Sequence, residues 1–265
     1  MIEKEFKEHV ILLVHENNRG VCAARTTGIR RSDCKWIVLL DSDDELLPHA
    51  LGFLYKAILK ASPNSGRIAC RYRWDDGGVS PDPFPENENL DYEGYLRWSE
   101  IAVRSDFHNC IKRDTLDVVP LPDNFAYESA YHLDFAKQYC TLMIDEVIAL
   151  EHQDAFSCSG SKKMTASAKY LRHISKDNYI ALSEALNAHE WGLGKFAPNK
   201  HRALSRACLL YAMLSEPRLR WLPRLYRYIK QFNLDTSIIA GVLLGMINKS
   251  ILSRVQAFRS AFRSF

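Results

Sequence analysis

The segment Trp36-Ile37-Val38-Leu39-Leu40-Asp41-Ser42-Asp43-Asp44-Glu45 decides how this chain is read. Five consecutive apolar residues read as a buried strand of the kind found in parallel sheets. The run ends abruptly in four acids within five positions. Ligands of open α/β sheets sit beyond the carboxyl ends of strands. Carboxylates this close repel one another unless a cation or hydrogen bonds compensate. Hard oxygen donors suit Mg²⁺ or Mn²⁺, which also take up a substrate diphosphate. A helix start accounts for the same acids, because Asp and Glu favour first turns and Pro48 follows. Residue chemistry alone leaves the two readings open.

Working outward, Val10 to Val14 is another apolar run and reads as a second buried strand. Gly20 to Ser32 reads as a helix with Val21, Ala24 and Gly28 on one face. Pro48 opens a helix through about Lys60, Ser62 to Gly66 is a loop, and Arg67 to Trp74 is a third strand. Strands alternating with helices imply an α/β sheet with right-handed crossovers. Asp75 to Leu90, rich in Gly, Pro, Asp and Asn, reads as a mobile loop over a site. A helix at Tyr92–Arg104, a strand at Phe107–Lys112, a helical turn at Arg113–Val118, a helix at Tyr127–Tyr139 and a strand at Thr141–Leu150 follow. From Lys162 onward the pattern is helical, over 163–189, 199–215, 218–232 and 236–263. The chain thus divides into an α/β domain, 1–160, and a basic helical region, 161–265.

The 265 residues are 47% apolar, enough for a packed core. Net charge is only +3, yet Lys200 to Phe265 holds twelve Lys or Arg against two acids, Glu216 and Asp235. Arg218, Arg220, Arg224, Arg227 and Lys230 alternate there with Trp221, Leu222, Leu225 and Tyr226. Such helices suit peripheral contact with an anionic membrane; ordinary helix packing with a solvated basic face explains them equally. No nucleic-acid reading motif is present, so no nucleic acid is expected as a partner. Seven scattered cysteines without a CxxC pair argue against a disulfide framework or a structural zinc. The charged start is no signal peptide, and Ile238 to Ile247 is too short an apolar run to span a bilayer.

The wording of the sequence narrows the choice. Asn18-Arg19-Gly20-Val21, Ala23-Ala24-Arg25-Thr26-Thr27-Gly28-Ile29, the strand, Asp41-Ser42-Asp43-Asp44 and Leu47-Pro48 together resemble the family 2 glycosyltransferases. The resemblance is tight over about 40 residues and looser to about Gly160. It implies a GT-A-like fold with a nucleotide-diphospho-sugar as donor and Mn²⁺ or Mg²⁺ as cofactor. By resemblance, Asp43 ligates the metal, Asp41 contacts ribose or metal, and Arg25 and Asn18 meet the nucleotide. Asp44 orients the loop, and Thr26 stands where Asn is usual. The catalytic base comes from a Glu-Asp pair at a helix start; Glu128 matches its Glu, while Ser129 stands where Asp is usual. A capping carboxylate is the plainer use of Glu128. His152 is a further candidate for metal, diphosphate or acceptor. Asp134 reads as structural, as do Tyr92, Tyr95 and Trp98, although each aromatic is able to stack on a sugar.

Family members begin with a strand–helix–strand carrying P-x-Y-N and V-D-D-G-S, and neither motif occurs here. The fold expected is therefore a GT-A-like α/β domain truncated at its N-terminus, with a C-terminal helical extension. The chain reads as a fragment, or as one that another chain completes, and is expected to bind nucleotide sugar weakly. The function expected is inverting sugar transfer to a glycan or lipid-linked acceptor in surface polysaccharide biosynthesis, in the cytoplasm at the inner face of the plasma membrane. The alternative is an inactive remnant or binding module with a degenerate fold.

Overall fold

The structure is a computed structural model. It describes residues 10–17, 19, 21–86, 88–121, 128–152, 168–216 and 220–232. The first elements are helix α1 (Val21–Arg31), strands β1 (Trp36–Val38) and β2 (Asp44–Leu46), helix α2 (Ala50–Lys60) and strand β3 (Ser65–Trp74). Strands β4 (Val79–Ser80) and β5 (Asn89–Leu90), helix α3 (Tyr92–Ile101), strand β6 (His108–Lys112) and helix α4 (Thr115–Val118) follow. Helix α5 (Glu128–Gln138) leads into the long strand β7 (Cys140–Glu151), then helices α6 (Ala168–Phe196), α7 (Pro198–Ser215) and α8 (Leu222–Phe232). The class is mixed α/β with a helical C-terminal region, as expected. The last expected helix, 236–263, lies outside the described residues.

The sheet has seven strands in the order β1-β6-β3-β7-β2, with β4 on β3 and β5 on β7. Among the described residues, only β3 and β7 pair in parallel, and every other pairing is antiparallel. The expected succession of parallel neighbours is corrected by β6, which inserts between β1 and β3. β3 is buried on both faces over its first six residues, Ser65 to Cys70, and Ile68, Ala69 and Cys70 are its apolar centre. Gly66 is required there, since a side-chain carbon would lie 2.7 Å from Tyr139 Cβ.

Three other expectations change. Val10 to Val14 forms no strand; all five are exposed, Val14 to 78%. An extended run becomes a strand only where a neighbour takes its backbone hydrogen bonds, and no described strand lies beside it. Helix α1 buries Cys22, Ala23 and Ile29, while Val21, Ala24 and Gly28 face outward. The stretch read as a loop from Asp75 to Leu90 contains strands β4 and β5: β4 pairs with β3, β5 pairs with β7, and Asp82 bridges Arg104. Ser80 donates its hydroxyl to the Asp106 carbonyl at 2.6 Å, and Trp98 donates its indole N–H to the Pro83 carbonyl at 3.0 Å.

The helical region shares one core with the sheet. Ala69, Leu96, Leu133 and Met143 pack with Leu182, Leu193 and Leu204. A buried polar bridge crosses the same seam. His189, on α6, engages the Tyr92 hydroxyl through Nδ1 and Asp134 through Nε2, both at 2.8 Å. Tyr95 and Trp98 are core residues, so these aromatics serve packing, as expected. Trp221, just before helix α8, and Leu225, Tyr228 and Phe232 within it pack with residues of α7. Arg224 is taken up by the Tyr179 and Ser183 hydroxyls, while Arg220, Arg227 and Lys230 point outward.

Candidate active site

A cavity of about 340 Å³ opens where β1 ends. Several chain segments meet there. Helix α1 supplies Cys22 and Arg25, the turn after β1 supplies Asp41 and Asp43, β2 supplies Asp44, the start of β6 and the residues before it supply Asp106 to Asn109, α5 supplies Glu128, Tyr131 and His132, and β3 and β7 add Tyr72, Ala149 and Glu151. The rotated face of α1 matters here, because burying Cys22 is what aims Arg25 into the opening. Arg25, Asp41, Asp43 and Glu128, four of the five site residues expected from sequence, thus share one cavity. Asn18, the fifth, lies outside the described residues.

At the mouth, Arg25 donates to Asp41 Oδ1 at 2.5 Å and stands 3.6 Å from Glu128 Oε1. One guanidinium therefore ties the acid at the strand end to the acid at the helix start. Glu128 is 62% accessible, open to the cavity yet closely surrounded by protein. Crowding out of water raises its carboxyl above the usual range; Arg25 pulls it down, and Asp106 and Asp41 push it up again. Such a shift moves a carboxylate toward the pKa that suits a general base near neutral pH.

The acids behave as a repelling group. Asp44 opposes Glu151 across the β2–β7 pair. Desolvation first, then Glu151, Asp41 and Asp43, raise its carboxyl to about 6, while His152 lowers it. Asp44 belongs to β2, so its part in shaping the turn rests on backbone pairing, together with its N–H bond to the Asp41 carbonyl. His152 is not among the cavity residues; it pairs with Asp75 at 2.9 Å and approaches Glu45 at 3.7 Å.

No group of three or more metal-binding side chains converges among the described residues. The donor chemistry nevertheless fits Mg²⁺ or Mn²⁺. These ions usually take one or two carboxylates and complete their shell with water and substrate phosphate. Asp43 and the oxygen of Asp41 that Arg25 leaves free are of that kind.

The floor, the buried layer behind the cavity-lining His132 and Phe107, was not read from the sequence. Arg67 on β3 is wholly buried and donates from Nη1 to His132 Nδ1 at 2.8 Å and from Nε and Nη2 to Thr141 Oγ1 at 3.2 and 2.9 Å. Its guanidinium lies over the rings of Phe107 and Phe135. Two signals were present: an arginine opening an apolar strand, and a histidine four residues after Glu128. Asp106, beside the floor, is raised by desolvation and lowered by Lys200 of α7. The helical region thus reaches the site electrostatically.

No curated protein sequence matches the chain significantly. Among solved structures, S. aureus TarS (residues 1–349) is similar over 95% of this chain and 74% of that one, at 11% identity and a TM-score of 0.44. Among the described residues, no helix is long and apolar enough to cross a membrane. Residues 1–110, the stretch that supplies Arg25, Asp41, Asp43 and Asp106, match the glycosyl transferase family 2 model.

Proposed function

We propose that the cavity moves a sugar from a nucleotide-diphosphate sugar to a hydroxyl of a glycan or lipid-linked acceptor, inverting the anomeric centre. One observation supports this above others: Arg25, Asp41, Asp43 and Glu128, from separate segments, line a single opening. Arg25 and Asp41 take the nucleotide end of the donor. Asp43, with Asp41, holds Mg²⁺ or Mn²⁺, which supplies positive charge for the departing diphosphate. Glu128 accepts the proton of the attacking hydroxyl from the face opposite the leaving group. Asn18 joins the nucleotide contacts by resemblance. The decisive experiment incubates the full chain with Mn²⁺, a panel of nucleotide sugars and glycoside acceptors, and reads nucleoside diphosphate release. Acceptor-dependent release that Glu128→Gln abolishes supports the reading; release unaffected by Glu128→Gln removes that residue from the chemistry.

A second reading, a binding module without transfer activity, draws on the Arg25–Asp41 and Arg25–Glu128 pairs, which neutralise the acids that transfer needs. Nucleotide-sugar binding without release in the same assay identifies it. A role in surface polysaccharide assembly at the inner face of the plasma membrane goes with the first reading. Its support is the outward basic row Arg220, Arg227 and Lys230. Because the apolar side of α8 is packed internally, such contact is electrostatic and disappears in high salt. Sedimentation with anionic vesicles at low and high salt tests it.

A further inference from the structure

Arg67 carries a positive charge with no access to solvent, and none of the partners described above for it is a carboxylate. Taking such a charge out of water is costly unless its donors are all taken up. The aromatic rings at 4.7 and 4.5 Å offset part of that cost. The Thr141 hydroxyl takes two of the Arg67 N–H groups, and the other hydrogen-bond partner, His132, is constrained in return.

Guanidinium groups donate hydrogen bonds and accept none. His132 Nδ1, 2.8 Å from Arg67 Nη1, is therefore the acceptor. A neutral imidazole that accepts at Nδ1 carries its proton at Nε2. The alternative tautomer and the imidazolium would each turn an N–H against the arginine. Burial first, then Arg67 and Lys200, hold the imidazole well below its ordinary pKa, which agrees with the neutral form. Nε2–H is accordingly the polar atom that His132 offers to a ligand in the cavity it lines.

Position gives this donor a use. Glu128 and His132 are four residues apart on α5, on one face of the helix, and both line the cavity. Phe107 and Tyr131 flank the imidazole, with ring centroids 5.4 and 5.5 Å away and tilted planes, and line the same cavity. An apolar ring face beside fixed polar atoms suits a pyranose, whose C–H face packs on aromatics while its oxygens seek hydrogen bonds. The buried charge behind the imidazole polarises the N–H and strengthens its bond to an oxygen.

The geometry points to His132 as a substrate-binding residue: its Nε2–H, locked as a donor by Arg67, holds a sugar oxygen of the acceptor beside Glu128. The assignment of that sugar as acceptor rests on the transfer reading above; the fixed tautomer and the sugar subsite do not.

The test uses the full chain labelled with ¹⁵N-histidine, with the His132 signals assigned through His132→Gln. At pH 7 the expected tautomer has Nδ1 bare and Nε2 protonated; a protonated Nδ1 overturns the proposal. The chain is next titrated with a panel of methyl glycosides. At least one is expected to move the His132 Nε2–H signal. Its affinity should fall about tenfold in His132→Leu, the loss of one well-made hydrogen bond. Affinity should stay within about threefold in His132→Gln, whose amide N–H replaces the donor. A panel that moves no His132 signal, or one that binds His132→Leu as tightly as the parent, overturns it. Should Leu fail to fold, the Gln variant and the tautomer still decide. A parallel titration with Mn²⁺ and nucleoside diphosphates separates the two readings. Glycosides that reach His132 without nucleotide binding sink the transfer reading alone; nucleotide binding with His132 untouched sinks the subsite alone.

Discussion

The mouth and the floor of the cavity each hold an arginine, and the two are used in opposite ways. Arg25 sits at the opening among carboxylates that are themselves half in water: Asp41 is 47% accessible and Glu128 62%. Its pairs are screened and their contribution to folding is small. Arg67 sits below with aromatic rings, a hydroxyl and a neutral imidazole. Its bonds are unscreened, and removing it leaves buried acceptors bare. A charge at the mouth is thus available to a ligand, whereas a charge on the floor acts through the groups it fixes.

That contrast breaks most visibly in activity. Glu128→Gln is expected to lower transfer by about 10²–10⁴-fold, the usual worth of a general base, while leaving the melting temperature close to that of the parent. A variant that loses its fold along with its activity would make Glu128 a structural residue instead. On the floor the expectation reverses. Arg67→Ala opens a void between Phe107 and Phe135 and strands Thr141 and His132 Nδ1. The expected loss is about 3–5 kcal/mol in chemical denaturation. Arg67→Met, which refills the volume, is expected to recover most of that stability but not the single tautomer of His132. Back at the mouth, Arg25→Gln is expected to cost less than about 1 kcal/mol of stability. Its effect falls instead on nucleotide affinity, weakened about tenfold by the loss of a charged contact. Equal stability losses in Arg25→Gln and Arg67→Ala would erase the distinction.

Much of the mouth was legible and little of the floor. Asp41 and Asp43 announce themselves because a local rule, an apolar strand ending in acids, places them at a sheet end whatever the rest of the fold does. Glu128 stands at a helix start for reasons equally local. Arg67 and His132 meet across 65 residues of sequence, and no periodicity encodes such a meeting. The same limit explains Val10 to Val14. Five apolar residues satisfy a strand pattern, but pairing depends on a neighbour that the run itself does not specify. The mixed sheet failed for a related reason: β6 enters between β1 and β3 from more than thirty residues downstream of β3. Asp75 to Leu90 has loop composition, yet the Ser80 hydroxyl ties it to the Asp106 carbonyl and Trp98 holds the Pro83 carbonyl, single hydrogen bonds that composition does not reveal.

The finest test of the comparison lies between the two arginines, at Asp106. Its carboxylate raises Glu128 by repulsion, whereas Arg25 lowers it; burial is the larger upward influence. A base works only when ionised, so transfer declines as pH falls through the pKa of Glu128 in the folded protein. Asp106→Asn removes one upward push and is expected to carry the acid limb of kcat/KM to lower pH. Arg25→Gln removes the downward pull and should carry it to higher pH. Opposed displacements of about half a pH unit each are the scale for partly screened charges several ångströms away. Asp106 and Lys200 offset each other, so the first variant leaves the Lys200 charge without that partner, and a bare cation favours ionised carboxylates nearby. That effect adds to the expected direction and does not reverse it. Limbs that move together in the two variants, or fail to move in either, would mean that the titrating group is not Glu128, and the mouth would then hold its acids for binding alone.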